Sequence, residues 1–152
     1  TVDVLSPPKQ MHNTVSDPAN GTEHGLLNTN SLFLRLQHGK NVFFFPGDAY
    51  GTGQRYVLEK TSPEKLKAAV VTGAHHGFNT HPEFAHATRP KFASASCLAF
   101  YAGSEVPSPG DKLKDQFEPL GAKVFVTAWN GNIEITSDGN DVTAKVEKEV
   151  AK

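Results

Sequence analysis

Hydrophobic residues near the start of the chain recur with a period of two. Every second residue from 32 to 36 is a leucine, which is the period of a β-strand. The turn formers at 38–41 lead into an apolar run at 41–45, so the two segments predict an antiparallel hairpin. A shorter apolar run at 2–5 stops at Pro7-Pro8 and predicts one more strand, because proline donates nothing to a β-ladder.

The rest of the chain alternates between helical and strand-like segments. Helices are predicted at 54–60, 63–69, 81–87 and 109–120, and short strands at 69–72, 91–97, 123–127 and 132–136. Asn130-Gly131 predicts a hairpin turn between the last two strands. The polar segment 10–30 is predicted to be a long loop, a kind that is often functional. The fold class that follows is α/β (α+β), with a mixed sheet and flanking helices.

Length and composition narrow the classes of protein. The 152 residues suit one domain with its own core. The formal net charge of -1 argues against a nucleic-acid binder that works by bulk charge, but not against an enzyme acting on a phosphodiester. No apolar run approaches the ~20 residues of a membrane span, and the single cysteine excludes a disulfide framework. We expect a soluble domain at 1–142, followed by a charged, fraying tail at 143–152. The sequence is compatible with either a cytoplasmic or an exported protein.

Two of the predicted strands end in residues suited to chemistry. Asp48 follows the strand at 41–45, and His75 and His76 follow the strand at 69–72. Functional groups gather at the carboxyl ends of strands in open sheets. An alternative role for Asp48 is to cap the next helix. Adjacent side chains on an extended strand point to opposite faces, so one histidine of the pair is expected to face a given site.

Three further polar residues belong to the same hypothesis. His24, in the polar segment, is positioned to converge with Asp48 and the histidine pair, and imidazole with carboxylate is the usual ligand set of hydrolytic zinc. His81 and Asn79 follow the pair closely and are expected to contact substrate or support the ligands. Cys97 is interpreted as a small core residue rather than a nucleophile.

These motifs, in this order, resemble the metallo-β-lactamase superfamily. Residues 30–36 read NSLFLRL, residues 46–49 read PGDA and residues 75–77 read HHG. In the hydrolase domain of the ComEC-like competence proteins, the corresponding motifs read NSLVLRL, TGDA and HHGS. The resemblance spans residues 2–140, nearly the whole chain.

The resemblance implies a dinuclear metal centre, expected to hold two zinc ions. Asp48 would bridge the two metals, and one of His75 and His76 would be a ligand of the second, with His76 favoured by the His-Gly form of the motif. His24 matches the third histidine of the family. The implied reaction is hydrolysis of a phosphodiester or related ester by a metal-activated water, on a small-molecule ester or a nucleic acid.

One motif of the family is absent from the sequence. The H-x-H-x-D-H motif, which supplies most of the metal ligands in the N-terminal half of the family's αββα sandwich, does not occur here. The chain therefore resembles the C-terminal half of that sandwich, and its first residue, Thr1, is interpreted as the start of a piece. Two hypotheses follow: part of a hydrolase that an N-terminal half completes, or a non-catalytic half-domain, a degenerate binding or structural module. Half a sandwich leaves an apolar sheet face uncovered, so the expected partner is the missing half or another copy.

Overall fold

The computed structural model describes residues 1–13, 22–98 and 108–149, with the side chains of 22–24 excepted. The strands are β1 Val2–Ser6, β2 Phe33–His38, β3 Asn41–Phe45, β4 Val70–Thr72, β5 Phe92–Ala95, β6 Lys123–Val126, β7 Ile133–Ser137 and β8 Val142–Val146. The helices are α1 Thr22–Thr29, α2 Gly51–Lys60, α3 Pro63–Leu66, α4 Pro82–Thr88, α5 Pro109–Phe117 and α6 Thr127–Asn130, and short 3₁₀ turns lie at Ala74–Gly77 and Glu118–Leu120.

Six strands form one mixed sheet in the order β1-β2-β3-β4-β5-β6. The first three strands pair antiparallel, with Leu34 opposite Phe45 in the predicted hairpin. Strands β3 to β6 pair parallel, with Phe44 opposite Val71 and Ala93 opposite Val124. The mixed α/β class predicted from the sequence is confirmed, and the parallel half has its carboxyl ends at one edge.

Helices cover one face of this sheet because alternate strand residues there are apolar. Phe33, Phe44 and Phe84 are fully buried and meet edge to face, with ring centroids 5.3–6.0 Å apart. Leu113 and Phe117 of α5 are also fully buried in this core. The amphipathic pattern of residues 109–120 thus gives a helix whose apolar stripe packs on the sheet, as predicted.

The hairpin of β7 and β8 packs against the opposite face. Phe43, Phe92 and Phe125 from the sheet form a second buried cluster with Val142 of β8. This hairpin covers β3 to β6 but leaves the apolar surface near β1 exposed, where Val2 and Val4 are 62% and 63% exposed. Among the described residues, this face of the sheet is therefore covered only in part.

Three predictions at the C-terminal end are wrong. Residues Thr127–Asn130 form the helical turn α6 instead of a hairpin turn, because buried Asn130 accepts from Val126 N at 2.9 Å and donates to Lys148 O at 3.1 Å. Strand β7 pairs with β8, not with β6. The predicted tail from residue 143 instead begins inside β8, where Val142, Ala144 and Val146 face the sheet.

Other boundaries differ from the prediction by a few residues. The predicted loop at 10–30 contains α1, while residues 14–21 lie outside the described part. Helix α2 begins at Gly51 rather than 54, α3 ends at Leu66, and β5 ends at Ala95. None of the helices within the described ranges has the length and apolarity that crossing a membrane requires.

Candidate functional site

Strands β3 and β4 run parallel and end side by side, which brings the two sequence motifs together. The loop after β3 carries Gly47 and Asp48, and the turn after β4 carries His75 and His76. The backbone N–H of His75 donates to the carbonyl of Gly47 at 3.0 Å. The convergence expected from the motif order is therefore present in the backbone for Asp48 and the histidine pair.

The histidine pair lies in a tight 3₁₀ turn rather than on an extended strand. His75 and His76 have φ values of 48° and 60°, the left-handed region, and Gly77 follows with φ of 100°. The expectation that the two side chains point to opposite faces of a strand is wrong for this reason, and their ring centroids lie 5.9 Å apart. Left-handed non-glycine residues cost about 1–3 kcal/mol each, and such strain is concentrated at functional sites.

His76 is exposed and has a defined tautomer. Its Nδ1 lies 2.8 Å from the carbonyl oxygen of Ser96, which can only accept a hydrogen bond. The neutral ring therefore carries its proton on Nδ1, and Nε2 is the acceptor. Orientation of one ring nitrogen by a backbone carbonyl is the usual arrangement for a histidine that binds a metal or accepts a proton with the other.

His75 is half-buried between two aromatic rings. Its ring centroid lies 5.5 Å from that of Tyr50 and 5.8 Å from that of Phe78, and Asn79 Nδ2 donates to its Nδ1 at 3.0 Å. Burial lowers the pKa of His75, the Asp48 carboxylate opposes that change, and His76 adds a smaller lowering. Burial of the ring thus disfavours the charged imidazolium, although a carboxylate lies close to it.

Asp48 does not cap the next helix. Tyr50 is the N-cap of α2, and no side chain accepts a hydrogen bond there. Asp48 instead lines a cleft of about 480 Å³ between the sheet edge and the β7–β8 hairpin, together with His76. The other residues that line this cleft are Phe43, Phe45, Gly47, Val70, Thr72, Gly73, Ser94, Ala95, Ser96, Thr127, Ile133 and Ile135.

A second cleft, of about 350 Å³, lies beside His75 and contains both predicted substrate residues. Asn79 and His81 line it, together with Arg55 of α2. Arg55 Nη1 donates to His81 Nε2 at 3.2 Å. Arg55 was not predicted from the sequence, because an arginine on a helix is usually only a surface residue. Its place in the cleft depends on the tertiary contact between α2 and the loop at 79–81.

A buried glutamine joins the loops around the two clefts. Gln54 is fully buried, and its Nε2 donates to Ala49 O at 2.6 Å and to Asn79 O at 2.7 Å. Its Oε1 accepts from His81 N at 2.7 Å. These three hydrogen bonds fix the Asp48 loop against the loop that follows the histidine turn.

Cys97 follows β5 and is half-buried against the core. Its backbone N–H donates to Thr127 Oγ1 at 3.0 Å. Burial raises the pKa of its thiol. A raised thiol pKa disfavours a nucleophilic role, in agreement with the sequence interpretation.

Asp48, His75 and His76 at the sheet edge are of the side-chain types that bind zinc, but they do not form a complete zinc site. Catalytic zinc normally takes three protein ligands. Across the described residues, no group of three or more His, Cys, Asp or Glu side chains is arranged to hold a metal ion. His24 lies on α1, and its side chain is outside the description. The described side chains therefore do not by themselves complete the zinc site that the motifs imply.

No family model, curated protein or solved structure matches the chain. The resemblance to metallo-β-lactamases therefore rests on the order of the sequence motifs.

Proposed function

We propose that this chain forms part of a hydrolase that acts on a phosphodiester or related ester, with Asp48, His75 and His76 as its catalytic residues. The observation that supports this most is the coupling of two short loops by the His75–Gly47 hydrogen bond at the carboxyl edge of the sheet. A carboxylate and two imidazoles then face one edge, and the imidazoles lie on a strained turn.

The tautomers support different roles for the two histidines. His76 offers Nε2 at the cleft that Asp48 also lines, so His76 is assigned as the proton acceptor or metal ligand. His75, held by Asn79 and Tyr50 in a half-buried position, is assigned to orient the substrate. A zinc-dependent form of the proposal requires ligands besides these, and His24 is the candidate within the chain.

The proposed partner is inferred from the part of the sheet face near β1 that the described residues leave uncovered. Val2, Val4 and Phe45 lie on the face opposite the helices and are 62%, 63% and 38% exposed. This surface borders the larger cleft, which Phe45 also lines. The proposal includes a second apolar layer here, supplied by the rest of the same domain or by another copy of the chain.

A non-catalytic binding module of the same fold is the second candidate. It is favoured by the apolar floor of the larger cleft, which includes Phe43, Ile133 and Ile135. In that case a ligand binds the cleft by contact with these side chains, and Asp48→Asn leaves its affinity unchanged.

Hydrolysis of bis(4-nitrophenyl) phosphate, with and without added Zn²⁺, tests the proposal. We expect Asp48→Asn and His76→Gln each to reduce the turnover of the wild-type protein at least about a hundredfold. His86→Gln is the matched control, because His86 is an exposed histidine on α4 away from the cleft. Equal turnover in all four proteins contradicts the catalytic assignment.

A further inference from the structure

We infer that the smaller cleft, beside His75, is an oxyanion site in which Arg55 binds a phosphate group. The inference rests on the proposed function in one respect: it makes that group a second phosphate of the substrate, bound next to the one that is cleaved. Binding of phosphate itself depends on Arg55 and its neighbours, not on the chemistry at Asp48.

The guanidinium of Arg55 is available to a ligand. Arginine has five N–H donors, and the structure uses one of them, in the bond from Nη1 to His81 Nε2. No carboxylate in the described part of the chain forms an ion pair with Arg55. A half-buried guanidinium with unused donors in a concave site matches the fork geometry of a phosphate oxygen pair.

His81 adds a fixed neighbour rather than a competing charge. Because arginine can only donate, His81 Nε2 must accept, and the neutral ring carries its proton on Nδ1. Burial and the Arg55 charge both lower the pKa of His81, and Glu83 opposes them more weakly. Glu83 is exposed in the first turn of α4 and is not among the residues that line the cleft.

The start of α2 reinforces the positive potential of the cleft. This ten-residue helix begins at Gly51, which lines the cleft, with no acidic residue in its first turn and no side-chain cap. The helix dipole has its positive end at the helix start, and this end favours anions. Gln54 holds this helix start against the loop at 79–81, so the cleft is preorganised.

The cleft also touches the residues that hold His75. Tyr50 and Asn79 both line it, and both contact the His75 ring. A phosphate on Arg55 thus lies beside the ring that the proposed function assigns to substrate orientation.

The test is a titration of the full chain with inorganic phosphate, without added metal and at constant ionic strength. The readout is the NMR shift of the Arg55 Nε–H and His81 ring signals. We expect Arg55→Gln to weaken phosphate binding about tenfold or more, since a charge-assisted hydrogen bond pair is lost. Lys60→Gln removes the same charge from an exposed position of the same helix and is expected to leave the affinity within about twofold.

Two further variants separate this inference from the proposed function. Arg55→Lys keeps the positive charge but loses the paired N–H donors of the guanidinium. We therefore expect its phosphate affinity to lie between those of the wild type and Arg55→Gln. Asp48→Asn is expected to leave phosphate binding unchanged while it reduces hydrolysis at least about a hundredfold. Equal weakening by Arg55→Gln and Lys60→Gln, or binding that responds to Asp48→Asn alone, overturns the Arg55 site and leaves the hydrolase proposal standing.

Discussion

The backbone N–H of His75 donates to the carbonyl of Gly47 at 3.0 Å, and this bond joins two loops that are 28 positions apart in the sequence. Both loops follow parallel strands at the same sheet edge, so the bond fixes the backbone of Asp48 relative to that of the histidine pair. Gln54 of α2 also holds the Asp48 loop and the loop at 79–81 together through three hydrogen bonds. The relative position of the two loops is therefore set by a backbone hydrogen bond, and the buried Gln54 side chain stabilises it.

Replacement of Gly77 tests the packing of the histidine turn. Gly77 has φ of 100°, and an added Cβ would lie 2.6 Å from Pro109 O. Gly121 has a similar φ of 91°, but nothing lies within 4 Å of an added Cβ. We expect Gly121→Ala to cost about 1–2 kcal/mol through backbone strain alone, and Gly77→Ala at least about 3 kcal/mol because a clash is added. Urea unfolding measures both, and equal costs would show that the turn does not pack tightly on α5.

Replacement of Gln54 tests the link between the loops. Gln54→Leu leaves Ala49 O, Asn79 O and His81 N without their partner inside the protein. Because each unsatisfied buried group costs about 1–3 kcal/mol, we expect a loss of about 3 kcal/mol or more in the free energy of unfolding. Gln116→Leu, which removes one bond to Thr80 O, is the control and is expected to cost less. Equal losses contradict a special role for Gln54.

Acid is expected to destabilise the fold through two histidines. Burial lowers the pKa of His75 and His81 in the folded state, so the unfolded chain binds more protons. The free energy of unfolding is then highest above the unfolded pKa of about 6.5 and falls as the pH drops from there toward the folded pKa values. His75→Gln and His81→Gln should each flatten this slope, whereas His86→Gln should not. An unchanged slope in the first two variants contradicts the assignment.

The exposed sheet surface predicts association. Val2 and Val4 present adjacent apolar side chains on the edge strand β1. Val4→Lys places a charge there and is expected to suppress any self-association of the chain without loss of folding, because Val4 is exposed. Sedimentation velocity of both proteins measures this. A wild-type chain that stays monomeric at high concentration, with little binding of a hydrophobic dye, contradicts the need for a second layer.

The hairpin and the helix at 109–117 were predictable because their hydrophobic periods are clear and their ends carry turn and capping residues. Strand β8 was missed since Thr143 and Lys145 made a short amphipathic strand resemble a charged tail. The strand pairing of β7 depends on which segment reaches it in space, and the Asn-Gly turn signal favoured the wrong neighbour.

The candidate site was predictable in part. The motif order identified Asp48 and the histidine pair, but a positive φ on two histidines leaves no trace in sequence periodicity. Arg55 and Gln54 join the site because α2 packs beside the loop at 79–81, a tertiary contact that no local pattern encodes. Asn79 and His81 share a cleft that differs from the one lined by Asp48 and His76, and this division was not foreseen.

The most direct test of the central claim, that Asp48 and His76 act on one ligand at the sheet edge, is a Zn²⁺ titration followed by the imidazole ¹⁵N signals of all histidines. The claim predicts that His76 Nε2 responds first and that Asp48→Asn weakens this response about tenfold or more, because a ligand of the same ion is lost. His38 and His86, exposed and away from the edge, should respond only at higher concentrations. A response of His76 no stronger than theirs, unchanged by Asp48→Asn, would contradict the claim.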